Sequence, residues 1–73
     1  MRSNAAALRT TRERKGHTRP SLASESGVSH QRIWELEQDD TPVRPTTAKQ
    51  LADALGVAID DITTSDEIAE VAS

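Results

Sequence analysis

The short segment Ser26-Gly27-Val28-Ser29 constrains this chain more than any other stretch. It lies inside residues 16–37, GHTRPSLASESGVSHQRIWELE. Gly27 supplies the left-handed conformation that ends a helix, and Ser29 is a good N-cap for the next one. The second helix of the pair opens with Ser29, His30, Gln31 and Arg32, which place hydrogen-bonding side chains on its first exposed turn. Its apolar residues Ile33 and Leu36 point the other way. A polar first turn backed by apolar residues suits a helix that reads a nucleic-acid groove. A catalytic loop would look different.

Seventy-three residues make one small domain with a marginal core. The apolar fraction is 34%, and the chain has one Trp and no Phe or Tyr, so compact helix packing must supply most of the stability. Without cysteine there is neither a disulfide framework nor a thiolate metal site. No apolar run reaches signal-peptide or membrane-span length, so the expected compartment is the cytoplasm and no membrane partner is expected.

A net charge of −3 argues at first against a nucleic-acid partner, but the distribution points the other way. Residues 1–34 carry seven cations against two anions, whereas residues 35–73 carry two cations against ten anions. The field near a phosphate depends on the local face rather than on the whole-chain sum. Arg9, Arg14 and Lys15 read as solvated surface, with phosphate steering second.

The remaining punctuation divides the chain into short helices. Asn4 caps a first helix that runs to Lys15, and Gly16 ends it with basic residues in the last turn. Thr18 caps a second helix, with Pro20 in the first turn where its missing N–H is harmless. Leu22 and Ala23 face inward, and Gly27 closes it. The third helix runs from Ser29 to about Gln38, with Ile33, Leu36 and Glu37 on its inner side. Asp39 to Pro45 breaks the pattern with two prolines. Thr47 and Gln50 read as a capping box for a fourth helix, whose apolar stripe is Ala48, Leu51, Ala52 and Leu55. Val57, Ile59 and Ile62 suggest a short fifth helix, and residues 63–73 an acidic tail or dimer-contacting extension. The fold class is all-α: a compact bundle of about five short helices around a central helix-turn-helix, with 1–62 as the domain.

Gly16-x-Thr18, Leu22-Ala23, Gly27-Val28-Ser29, Ile33-x-x-Leu36-Glu37 and Leu51-Ala52-x-Ala54-Leu55-Gly56-Val57 occur in this order and spacing. Together they resemble the phage repressor/Cro-like (XRE-type, lambda repressor-like) helix-turn-helix family over about residues 5–62. The resemblance implies a cytoplasmic DNA-binding transcriptional regulator, in most cases a repressor, that binds double-stranded DNA as a homodimer. It implies that the second helix crosses the phosphate backbone while the third enters the major groove. On that basis the DNA-binding residues are Thr18, Arg19, Ser29, His30, Gln31, Arg32, Glu35 and Arg44. Arg19 and Arg44 would contact phosphates, and Ser29 a phosphate or a base. Gln31 suits adenine and Arg32 guanine, each giving about 1–3 kcal/mol of discrimination when bidentate. Glu35 would accept from cytosine N4 or exclude the wrong phosphate register. Arg12 and Glu37 match a pair that links the first helix to the third by a salt bridge, a structural role.

Several residues depart from the family pattern. Thr11, His17 and Ser26 stand where larger apolar residues are common, and His17 reads as a partly buried filler. Asp39 and Asp40 would repel phosphate unless they face away or are covered. Trp34 lies beside the inner face, with packing on the 39–45 loop as the expectation and DNA-backbone or partner contact as the alternative. Ile59, Ile62 and Ile68 are the expected dimer surface. Two His without ligand spacing argue against a metal or other cofactor. No nucleophile elbow or glycine-rich loop argues for an enzyme, and no aromatic platform for RNA. The rival reading is a protein-binding module, such as an antitoxin or a subunit of a larger regulatory complex, that uses the acidic half and tail.

Overall fold

The computed structural model describes residues 1–64, and its element order follows the punctuation of the sequence closely. A short strand β1 (Arg2–Ser3) precedes four helices: α1 (Ala5–Arg14), α2 (Arg19–Ser26), α3 (His30–Gln38) and α4 (Pro45–Leu55). A single 3-10 turn (Ile59–Asp61) and a second short strand, β2 (Thr63–Thr64), follow. None of the described helices is long and apolar enough to cross a membrane.

Each helix boundary has a local cause. Asn4 Oδ1 accepts from the Ala7 amide at 3.2 Å and caps α1. At the other end, the amides of Gly16 and His17 return to the carbonyls of Glu13 and Arg12, both at 3.0 Å. This double closure requires a left-handed residue, and Gly16 provides it at φ +80°. Thr18 Oγ1 and Ser29 Oγ cap α2 and α3 by accepting from Ser21 and Arg32 amides, each at 3.1 Å. Only Gly27, at φ +79°, Val28 and Ser29 separate the two helices. Val28 turns inward and is buried.

The core is one cluster drawn from every helix: Leu8 from α1, Leu22 from α2, Ile33 and Leu36 from α3, and Ala48, Leu51, Ala52 and Leu55 from α4. Val28, Val43 and Ile62 complete it from the connections. The four-residue stripe expected on the fourth helix is buried in full.

Three expectations need correction. The fourth helix begins at Pro45 rather than at a Thr47–Gln50 capping box, and its N-cap Arg44 makes no side-chain capping bond. Proline at the first helical position has the right φ and loses no bond, so the helix extends back through Thr46 and Thr47. The fifth helix is only the 3-10 turn, in which Asp61 Oδ2 accepts the Ala58 amide at 3.1 Å. The third concerns the two ends of the described segment, which are not purely helical. β1 and β2 pair antiparallel, with Arg2 opposite Thr64 and Ser3 opposite Thr63. Thr63 and Thr64, expected at the start of the tail, are thus part of the fold, while the rest of that tail, Ile68 included, lies outside the described residues.

The paired ends also hold the segment after α3. The Ser3 amide donates to the Thr41 carbonyl at 2.8 Å, and the Val43 amide to the Met1 carbonyl at 3.0 Å. The buried Ser3 hydroxyl donates to the Leu36 carbonyl at 3.1 Å and accepts from the Thr41 amide at 3.0 Å. Asp40 Oδ1 accepts the first amide of α1, Ala5, at 2.9 Å. One anion of the Asp39-Asp40 pair is therefore a helix cap, placed where the positive end of the α1 dipole favours it.

Candidate nucleic-acid interface

Two faces of α3 are distinguished by burial. Ile33, Leu36 and Glu37 are buried, and Gln31, Trp34 and Gln38 are exposed, with Glu35 partly so. At 3.6 residues per turn, Gln31, Glu35 and Gln38 line up opposite the buried set. Nine residues at about 1.5 Å each make a rod about 14 Å long, whose diameter of about 10–12 Å is one that a major groove about 12 Å wide admits. His30, Gln31 and Gln38 make no side-chain hydrogen bond or ion pair among the described residues. Their polar groups are free to meet a partner. Gln38 is an addition to the sequence-derived set, and its i, i+4, i+7 spacing from Gln31 is the signal that finds it.

Glu37 anchors this polar face from behind. Its side chain is 0% exposed and places its two oxygens between two guanidinium groups. Arg12 grips it in a bidentate manner, Nε to Oε2 at 2.7 Å and Nη2 to Oε1 at 3.1 Å. Arg12 Nη1 donates in addition to the His17 carbonyl at 2.8 Å. The Arg12–Glu37 link implied by the family resemblance is thus present. Arg19 joins it, donating from Nε to Glu37 Oε1 at 3.2 Å, a third arm that the sequence does not reveal. One carboxylate therefore ties α3 to both α1 and the start of α2.

The other sequence-derived candidates divide by their present partners. Thr18 and Ser29 are exposed caps whose oxygens already accept one amide each. Their hydroxyl protons remain available for a phosphate oxygen. Arg32 points along the flank of α3, with Nη1 on Glu35 at 3.1 Å and Nη2 on the Pro42 carbonyl at 2.9 Å. To reach a guanine it must release both bonds. Arg44 is exposed and has no partner among the described residues. A cleft of about 470 Å³ brings it beside Arg32, with Met1, Pro42, Val43 and Pro45 as the remaining walls. The cleft is a cationic flank on the side of α3 where the 39–45 segment returns.

One further expectation is revised. Trp34 is 48% exposed and lies outside the core cluster. Its position on α3 turns it towards the outer face. Ile62 is 2% exposed and so offers no apolar dimer surface, whereas Ile59 is partly buried and packs against the core. With so few large side chains, the domain uses both to complete its own interior. His17 is half-buried as expected, and its Nδ1 lies 2.8 Å from Ser21 Oγ.

The arrangement has counterparts among known proteins. Residues 5–64 match the family model described as a helix-turn-helix domain. No curated protein matches the chain. Among solved structures, the restriction-modification controller protein C.AhdI from Aeromonas hydrophila is similar, with a TM-score of 0.73 and 26% identity. The match covers 78% of this chain and 86% of that one. A structure of Streptomyces albus HEPD, with its substrate 2-hydroxyethylphosphonate and Fe(II) bound, is also similar, at a TM-score of 0.74 and 28% identity. There the match covers 78% of this chain but only 13% of that one, so the likeness concerns a small part of that protein. With four fifths of its length under one family model and the two-helix unit in place, the chain belongs to the helix-turn-helix domain family.

Proposed function

We propose that this protein is a sequence-specific DNA-binding transcriptional regulator that reads the major groove with α3. The observation that carries the reading is the outer face of α3. Gln31, Glu35 and Gln38 form a polar row directly opposite residues that are locked into the core. Base edges are read by such side chains, whereas phosphates are held by the flanks. Arg19 at the start of α2 and Arg44 at the start of α4 supply cations on the two flanks, and Thr18 and Ser29 supply hydroxyls. The similarity to a restriction-modification controller favours a regulatory role.

Two copies act together in this proposal, because one helix offers few base contacts and tight specific binding normally needs two half-sites about one turn apart. Repression is the proposed sign, since a domain that occupies a promoter blocks polymerase without further machinery. The function is binding, with no catalytic step. Selection from random duplexes at physiological salt tests the reading: enrichment of a two-fold symmetric site supports it. Absence of any enrichment sinks it and favours the protein-binding alternative. A promoter–reporter fusion carrying the selected site then reads the sign of regulation.

A further inference from the structure

Arg19 and Glu37 have a relationship that the salt bridge alone does not explain. Arg12 is committed entirely to the interior: its side chain is 8% exposed, and Nε, Nη1 and Nη2 all have partners. Arg19 is different. Its side chain is 29% exposed, and the bond from Nε to Glu37 is its only one among the described residues. A guanidinium is a planar fork, so a bond at Nε fixes the plane and leaves both terminal nitrogens to donate elsewhere. Glu37 is the one buried carboxylate that meets both cations, while Arg12 has a second, exposed carboxylate, Glu13, at 3.9 Å.

We infer that Glu37 is a positioning residue for DNA binding: from beneath the recognition helix it holds the Arg19 fork with Nη1 and Nη2 presented to a backbone phosphate. The inference rests on the proposed placement of α2 against the phosphate backbone. Its consequence is mechanical. The carboxylate belongs to α3 and the guanidinium to α2, so the phosphate grip and the base-reading helix share one rigid joint. A free arginine would lose rotamer entropy on contact, whereas a held one has already lost it.

Glu37→Gln tests this because two effects predict opposite signs. Removing a carboxylate makes the protein less negative, which by long-range electrostatics alone tightens DNA binding. The amide, however, keeps one acceptor oxygen for three donors, and the buried Arg12 takes it, so Arg19 is released. The probe is a mixed-sequence duplex of about 20 base pairs at low salt, long enough for two half-sites. Binding is scored per folded molecule, with the folded fraction set by circular dichroism. Arg19→Ala is expected to weaken binding by about tenfold or more and to lower the salt slope by about one. Glu37→Gln is expected to weaken binding several-fold in the wild-type background, yet to leave it unchanged or tighter in the Arg19→Ala background. Equal weakening in both backgrounds, or tightening in both, overturns the inference. No effect of Arg19→Ala overturns the α2 placement itself, which is a separate failure. The wild-type chain gives a second readout that no folding defect can disturb. The Arg19 Nε–H signal in NMR should stay protected from solvent exchange with and without duplex, and loss of that protection on adding duplex also overturns the inference.

Discussion

Replacing Arg12 with methionine should be among the most damaging single changes in this protein, although the substituted residue is charged and comes from a polar helix. Methionine has nearly the length of the arginine stem, so little volume is lost. The damage falls on Glu37, whose carboxylate is 0% exposed and would keep only the 3.2 Å bond from Arg19. Two bonds, at 2.7 and 3.1 Å, disappear, and the His17 carbonyl loses a donor as well. Breaking one side of a buried ion pair costs about 3–5 kcal/mol, because the remaining charge stays desolvated. For 73 residues the whole stability is of the order of 4–11 kcal/mol. The variant should therefore lose about a quarter or more of its stability. Thermal unfolding followed by circular dichroism at 222 nm should show the Tm falling by at least about 12 °C. The double variant Arg12→Met, Glu37→Leu removes both charges and should recover to within about 2 kcal/mol of the wild type, since an apolar replacement of a buried pair is often neutral. If Arg12→Met costs less than about 1 kcal/mol, or if the double variant is as unstable as the summed singles, Glu37 is not a desolvated hub and the reasoning is refuted.

Other outcomes follow from single contacts. Gln31→Ala should relax the selected motif at one position of each half-site by about 1–3 kcal/mol while leaving affinity for mixed-sequence DNA intact; an unchanged motif would remove Gln31 from the reading face. Ser3→Ala should cost about 1–3 kcal/mol in urea unfolding, because the Leu36 carbonyl and Thr41 amide lose a buried partner together. A neutral result would mean that Ser3 and its strand do not hold the segment after α3. Ile62→Ala should cost about 2–5 kcal/mol as a core truncation and should not change the oligomeric state measured by sedimentation in the folded fraction. Dissociation of an assembly without loss of monomer stability would restore Ile62 to a dimer surface.

The helices are legible in the sequence because their causes are local. Asn4, Thr18 and Ser29 cap in the structure as their types suggest, and Gly16, Gly27 and Gly56 adopt the left-handed φ that ends a helix. The inner and outer faces of α3 and the stripe of α4 are legible for the same reason, since periodicity is a property of neighbouring residues. The start of the fourth helix is harder to place because two local signals compete. Pro45 at the first position outweighs a Thr47 cap that needs the chain to enter later. The fifth helix shrinks to a turn because three apolar residues in six fit a single 3-10 turn as well as a helix.

What lies beyond the sequence depends on residues far apart along the chain. By itself the sequence determined that this would be a helical domain with a tight helix-turn-helix, and which residues of α3 would face in. Only the tertiary structure decided what the charges do. Glu37 and Asp40 count, in the composition, as part of an acidic half that should repel DNA. In the fold, one is held between Arg12 and Arg19 and the other caps α1 from 35 residues away. Arg32 counts as a base reader by position, yet its guanidinium is engaged by Glu35 and the Pro42 carbonyl. The physical reason is that capping and periodicity act over a turn or two of chain, whereas the partner of a charge is set by whichever group the packed backbone brings within about 3 Å.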